Sequence, residues 1–220
     1  MSGKLVDQKL NYFHEGKTAF LEKRYANALT IFSTFWDKER DSCLAAVRNS
    51  SVLAEWSDLA KVYPAAKMEL LKRRNEVSNQ FLDNHKDSQL YRDLIALNRA
   101  LGDFQHSLLL FEKLKADHKP LAKEYWPYFQ GEALENDEFE LVREMGINVD
   151  KDLEILRKIY KNINQKFMDW PEDEIIEYKR VNLDFTKESL DKLNYWCELY
   201  EAPQEKSKVE AIRRELGLSM

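Results

Sequence analysis

The residue types that most often carry catalysis or bind metals are sparse and scattered in this chain of 220 residues. It contains four histidines and two cysteines: His14, His85, His106, His118, Cys43 and Cys197. No two histidines stand four positions apart and no H-E-x-x-H pattern occurs, so a helix-borne zinc hydrolase site has no ligand set. A cysteine and a histidine could still meet in space as a nucleophile pair. Cys43, however, precedes the apolar run Leu44 to Val47, which is typical of a core position.

Carboxylates form two clusters that could do acid–base chemistry if two of them were paired. The members are Glu132, Glu135, Asp137, Glu138 and Glu140 in the first cluster, and Glu172, Asp173 and Glu174 in the second. We expect Asp137 and Glu138 to begin a helix after a turn and Glu172 to Glu174 to form a first turn after Pro171, and negative charge is favourable at a helix N-terminus. No calcium-binding loop pattern accompanies them. A structural role is therefore the favoured interpretation.

Phosphate and nucleic-acid sites are also disfavoured. No two glycines lie within ten residues of each other, which excludes the glycine-rich loops that bind dinucleotides and nucleotide phosphates. The basic run Lys72 to Arg74 and the lysines between Lys113 and Lys123 sit in a chain of net charge −5. A nucleic-acid surface needs a continuous basic face. We therefore predict no cofactor, no metal, no nucleic-acid partner and no catalytic site.

The compartment follows from what the sequence lacks. The first residues have no apolar core of the kind that a signal peptide needs, and no stretch of 18 apolar residues follows. We expect a cytoplasmic protein without membrane insertion. In a reducing compartment we expect Cys43 and Cys197, which are far apart in the sequence, to be unpaired.

The sequence predicts helices over nearly the whole chain, so helices must position these residues. Apolar residues recur at steps of three and four, as in Leu90, Leu94, Leu97 and Leu101, which makes one stripe on a helix. Glycine and proline together are 11 of 220 residues, or 5%, against about 12% in an average chain. Alternation typical of strands is absent. The sequence predicts an all-α protein of about twelve helices joined by short turns.

Turn and cap residues predict where the helices begin and end. Gly102 suits the left-handed position after a helix, with Asp103 as the next N-cap. Pro64 and Pro171 suit first-turn positions, Gly146 ends an apolar stripe, and Thr186 is expected to cap another helix.

An internal period gives the most specific prediction. An aromatic residue opens a second helix at Tyr25, Tyr63, Phe104 and Phe139, at intervals of 38, 41 and 35, and the turns before Pro171 and Pro203 continue the series. Around the first of these, Gly16 and Ala28 are small where two helices would approach, and Tyr12, Tyr25 and Phe32 are large around them. This segment resembles a tetratricopeptide repeat. The second copy keeps Ala54, Tyr63, Ala66 and Leu70, and the third keeps Tyr91, Phe104, Ser107 and Phe111.

The resemblance implies a right-handed α-solenoid of antiparallel helical hairpins. The repeats are degenerate, because they exceed the family's usual length and the signature fades after residue 146. We therefore expect repeats over residues 1–146 and a C-terminal helical region over 147–220 that either continues or caps the solenoid. A helical bundle with accidental spacing is the alternative.

In such a stack the first helix of each pair lines a concave groove. The positions expected to be exposed there are Phe13, Lys17, Phe20, Arg48, Glu55, Asp58, Arg92 and Arg99. Four cations against two carboxylates make this groove locally basic, which suits an acidic or carboxylate-ended segment. The asparagine-containing clamp that reads chaperone tails in this family has no match at these positions, so that ligand is disfavoured.

Two functions remain open. The first is a non-catalytic scaffold or adaptor that holds a segment of another protein in the groove. The second is an accessory or regulatory subunit of an enzyme system, such as a biosynthetic or surface-modifying complex, with the chemistry in another chain.

Overall fold

The computed structural model describes residues 3–42, 44–163 and 172–218. Within these ranges every regular element is a helix and no strand occurs, which confirms the all-α prediction. The predictions for Cys43 and Pro171 fall outside the described residues. None of the described helices is long and apolar enough to cross a bilayer.

The chain forms two compact units, Met1–Phe129 and Gln130–Met220. The first contains α1 (Gly3–Leu21), α2 (Tyr25–Lys38), α3 (Ala45–Val47), α4 (Leu53–Val62), α5 (Pro64–Asp83), α6 (Ser88–Leu101), α7 (Phe104–Asp117) and the first part of α8 (Lys119–Glu135). A π-helical segment, Arg48–Val52, joins α3 to α4 without a break. The division predicted after residue 146 is a different boundary, the end of the repeat signature in the sequence, and it stays a prediction.

Most of the predicted helix ends are confirmed. Gly102 takes the left-handed conformation after α6, with φ of 66°, and the Asp103 side chain accepts a hydrogen bond from the backbone N–H of His106. Glycine adopts this backbone conformation without the steric cost of a Cβ atom. Pro64 is the first residue of α5, where its missing N–H has no helical partner to lose.

α1 and α2 pack closely because Gly16 has no side chain. A Cβ atom at this position would lie 2.7 Å from Cε1 of Phe32 and 2.8 Å from Cγ2 of Ile31. Ala28 and Phe32 are fully buried. The small residues that the repeat pattern singled out therefore do lie in a tight part of the core.

Neighbouring helices of the first unit pack in sequence. α2 contacts α4, α4 contacts both α5 and α6, and α6 contacts α5 and α7. Aromatic rings fill the core further along, where Phe81 and Tyr125 flank Tyr91 and where Phe111 lies against Phe129. The helices α1, α4 and α6, which were expected to line the groove, thus include one directly packed pair, α4 and α6.

The second unit contains the end of α8, α9 (Phe139–Met145), α10 (Asp150–Ile163), α11 (Glu172–Leu199) and α12 (Pro203–Glu215). Its core is formed by α10, the C-terminal half of α11 and α12, through Val149, Leu153, Leu156, Leu190, Leu193, Cys197, Val209, Ile212 and Leu216. Thr186 does not cap a helix, and that prediction was wrong. It is buried inside α11, and its hydroxyl donates to the carbonyl oxygen of Asn182, four residues earlier, which gives the hydroxyl a partner without a helix end.

Candidate functional site

Two of the residues expected to be exposed in the groove are buried instead. Phe13 is 5% exposed, and its ring centroid lies 6.1 Å from that of Phe32 and 5.8 Å from that of Phe35. The expectation that Phe13 is exposed in the groove was therefore wrong. The face of α1 that packs on α2 runs through Phe13, Gly16 and Ala19, all buried, because this spacing of three places them in one stripe.

Lys17 and Phe20 lie beside this stripe and remain partly accessible. The Lys17 ammonium is 2.8 Å from a carboxylate oxygen of Glu55, so it links α1 to α4 across the surface. The ring of Phe20 lies 6.2 Å from that of Tyr25 and is half-buried. Glu55 therefore neutralises the cation expected at this end of the groove.

Arg48, also expected to be exposed in the groove, is buried and only 2% exposed. Its guanidinium carbon lies 3.3 Å from the centroid of the Trp36 ring, and its Nε donates to the carbonyl oxygen of Trp36 at 2.6 Å. Stacking on an aromatic face suits the flat guanidinium group. Its charge is paired with Asp93, which is 1% exposed, at 2.6 Å.

Asp93 is the centre of a buried polar network beneath the groove. Its carboxylate accepts hydrogen bonds from Arg48, from the amide of Asn49 at 2.9 Å and from the amide of Gln89 at 2.6 Å. Arg40 lies 3.6 Å away on the other oxygen. Burial lowers the pKa of Arg48, while the hydrogen bond and charge of Asp93 act in the opposite direction. The network ties the π-helical segment to α6.

The π-helical segment explains why this network can form. A π-helix bonds residue i to i+5, so it inserts extra backbone into a helix, and such segments are frequent at functional sites. Here it begins at Arg48, which points inward to Asp93, and it continues through Asn49, Ser50 and Ser51, which line a surface groove. One short stretch therefore supplies both the buried anchor and part of the groove wall.

The groove runs between α4 with its π-helical start and α6, and has a volume of about 580 Å³. Its walls carry small side chains: Ser50, Ser51, Ala54, Ser57, Ala96 and Ala100. The Ser57 hydroxyl donates to the carbonyl oxygen of Ala100 at 2.7 Å, which holds the two helices together at one end. A smaller cleft of about 270 Å³ continues past this point and shares Ser57, Arg99 and Ala100 with the groove. We call the two clefts together the α4–α6 groove.

Positive charge predominates along this groove. Arg99 lines both clefts, Lys61 and Lys67 line the smaller one, and Asp58 is the carboxylate in the wall. Asp58 lies 2.6 Å from Lys61, so that pair is internally balanced. Arg92 lies one and two turns before Ala96 and Arg99 on the same face of α6, and its guanidinium is 5.4 Å from the Tyr128 ring. Sequence reasoning missed Lys61 and Lys67, because neither belongs to the face of a first helix that the repeat pattern predicts.

Several titratable residues outside the groove have structural partners. Among residues 3–42, 44–163 and 172–218, no group of three or more histidine, cysteine, aspartate or glutamate side chains could hold a metal ion. Cys197 is buried in the second unit, and burial raises its pKa to about 11. In the first acidic cluster Glu138 occupies the N-cap position of α9 without a side-chain capping bond. Glu135, at the end of α8, pairs with Lys192, and Glu140 pairs with Arg143, which favours the structural interpretation.

Comparisons with known proteins assign no family to this chain. No protein-family model matches the chain, and neither a curated protein nor a solved structure matches it. The parts of the chain that the structure describes are helical and form two compact units, and the first unit bears a groove lined by more cations than carboxylates.

Proposed function

We propose that the protein is a non-catalytic interaction scaffold that holds an acidic segment of another protein in the α4–α6 groove. The observation that carries this proposal is that small side chains form the walls of the groove and exposed cations lie along it. Serine and alanine side chains leave room for a partner's backbone, and Arg92, Arg99 and Lys67 lie where they can attract its carboxylates.

We further propose that the first unit is a degenerate, tetratricopeptide-like solenoid. Two observations support this reading. The close approach of α1 and α2 falls at Gly16, and the second helices α2 and α7 begin at the aromatic residues Tyr25 and Phe104. In repeat proteins of this kind the surface, rather than a reactive group, carries the function.

Binding selectivity for acidic peptides tests the proposal. Peptides selected from a random display library against the full chain should be enriched in aspartate and glutamate. Their affinity should fall as salt is raised, because exposed charges are screened over about 8 Å at physiological ionic strength.

The variant Arg92→Glu/Arg99→Glu then locates the binding site. Since each exposed ion pair contributes about 0.2–1 kcal/mol, reversal of two cations should weaken a selected peptide by roughly tenfold and flatten its salt dependence. The matched control is Lys86→Glu/Lys113→Glu, which changes the net charge equally at exposed positions outside the groove. Equal loss in both variants would mean that only the overall charge matters, and no loss in the first would place the binding surface elsewhere.

A further inference from the structure

A second surface lies on α11, far along the chain from the groove residues. Six exposed side chains follow one another along this helix at alternating steps of four and three: Val181, Phe185, Glu188, Lys192, Tyr195 and Leu199. The buried residues of the same helix, such as Leu190, Leu193 and Cys197, occupy the opposite face. Alternating steps of four and three are the seam spacing of a coiled coil. We call these six residues the α11 seam.

Four of the six are large apolar residues that are unusually exposed for a folded protein. Val181 is 50% exposed, Phe185 51%, Tyr195 60% and Leu199 46%. Single exposed apolar residues are ordinary, but a continuous exposed row on one helix marks an interaction surface. The core of the second unit does not use this face, because it is formed from the other side of α11.

The order of residue types identifies the occupant. Read from either end, the seam runs apolar, aromatic, charged, charged, aromatic, apolar, and the two charges have opposite sign. Two antiparallel copies therefore place Val181 opposite Leu199, Phe185 opposite Tyr195 and Glu188 opposite Lys192, and each pairing occurs twice. A parallel pair in register would instead place Glu188 against Glu188 and Lys192 against Lys192. Like charges at such positions oppose association.

We propose that the α11 seam binds a second copy of this chain in antiparallel orientation, forming a two-fold symmetric dimer. Such a contact is self-complementary, as a two-fold interface must be. From Val181 to Leu199 the seam contains 19 residues, and the 18 steps between them cover about 27 Å at 1.5 Å per step. This length covers only about two and a half heptads, so the dimer is weak and depends on protein concentration.

The charges around the seam are compatible with this arrangement. Glu188 makes no ion pair within the part of the chain that the structure describes, which leaves its carboxylate available to Lys192 of a second copy. Lys192 lies 2.8 Å from Glu135 of its own chain and is half-exposed, so it can contact both carboxylates.

Acidic residues also flank the seam, and each of them already has a partner. Asp184 lies 3.5 Å from Arg180, Glu198 lies 2.8 Å from Lys206, and Asp191 pairs with Arg213. The flank therefore adds little repulsion between two copies.

Sedimentation velocity of the full chain tests whether the dimer exists. Between about 1 and 200 µM, a range suited to a small interface, the wild-type sedimentation coefficient should rise from the monomer towards the dimer value. Phe185→Asp should weaken the association at least tenfold. The matched control is Ile176→Asp, which changes an apolar residue of similar exposure, 61% against 51% for Phe185, on the same helix but off the seam. A wild-type chain that stays monomeric over this range, or equal effects of the two variants, would overturn the proposal.

Charge exchange tests the antiparallel register. All variants carry Glu135→Gln, which removes the intrachain partner of Lys192. Glu188→Lys and Lys192→Glu should each weaken the dimer by roughly tenfold, because each sets like charges opposite one another twice. The double variant restores opposite charges and should recover the parent affinity to within about threefold. A double variant as weak as the single ones would refute the register.

Discussion

Replacement of Asp93 by alanine is the sharpest test of how the groove is held in shape. Asp93 is 1% exposed and is the only carboxylate that Arg48 contacts among the described residues. Without it, the buried guanidinium keeps only neutral acceptors, the carbonyl oxygen of Trp36 and the side-chain oxygen of Asn49. Arg40 then remains nearby as a like charge, which adds to the cost.

The expected magnitude follows from this geometry. Removal of one partner of a buried ion pair costs about 3–5 kcal/mol, because the other charge is left uncompensated. Arg48→Met should cost less, about 2 kcal/mol, because Asp93 keeps its hydrogen bonds from Asn49 and Gln89 and its neighbour Arg40. The double variant Arg48→Met/Asp93→Leu should be more stable than Asp93→Ala alone, since no buried charge is left unpaired.

Urea unfolding followed by circular dichroism measures the effect. With a slope of about 2 kcal/mol/M, a loss of 4 kcal/mol lowers the midpoint by about 2 M. The matched control is Glu215→Ala, which breaks the half-exposed pair of Glu215 with Arg157 and should cost no more than about 1 kcal/mol. Should Asp93→Ala cost no more than Arg48→Met, the network would not be organised around the charge of Arg48, and our account of the π-helical segment would be wrong.

Three further outcomes follow from single positions. In thermal melts, Gly16→Ala should destabilise the protein by about 1–3 kcal/mol, because its Cβ meets the Phe32 ring at 2.7 Å. Gly131→Ala, with open space around it in α8, should stabilise the protein by about 0.5–1 kcal/mol. Burial, and secondarily a nearby arginine, lowers the pKa of His106, so the unfolded state binds its proton first and stability should fall as pH drops below about 6.5; His106→Gln should flatten that part of the pH profile. Cys197, with its pKa raised to about 11, should resist thiol reagents at pH 8 until the protein unfolds, and rapid native labelling would contradict its burial.

Local signals in the sequence were sufficient to place many helix boundaries. Gly102, Asp103 and Pro64 act through backbone conformation and capping hydrogen bonds that involve only their near neighbours, so residue type alone predicts them. Thr186 shows the limit of such signals. A threonine can cap a helix, or its hydroxyl can donate to a carbonyl oxygen one turn earlier inside a helix. Thr186 does the second, in the interior of α11.

The facing of side chains was harder to predict. Phe13 and Tyr12 are adjacent and similar in size, and a rotation of α1 by one residue decides which of them enters the core. Arg48 was expected at the surface because it lies on the first helix of the second pair, at a position that the repeat pattern turns towards the groove. Its burial depends on Trp36, 12 positions earlier, and on Asp93, 45 positions later, and no local pattern connects these three residues.

The burial of Arg48 changes what the groove can recognise. Had Arg48 been exposed, the positive charge would lie at the start of the π-helical segment, beside Asn49. Arg48 is buried against Asp93 and Lys17 is paired with Glu55, so the exposed cations along the groove include Arg92 and Arg99 on α6 and Lys67 at the far end. A bound acidic segment should therefore carry most of its carboxylates near Arg99 and Lys67, and its residues beside Ser50 and Ser51 should be small. Peptides with the carboxylates moved to the other end should bind more weakly at equal composition, because Arg92 is then the nearest cation and the wall beside it consists of the neutral Ser50 and Ser51.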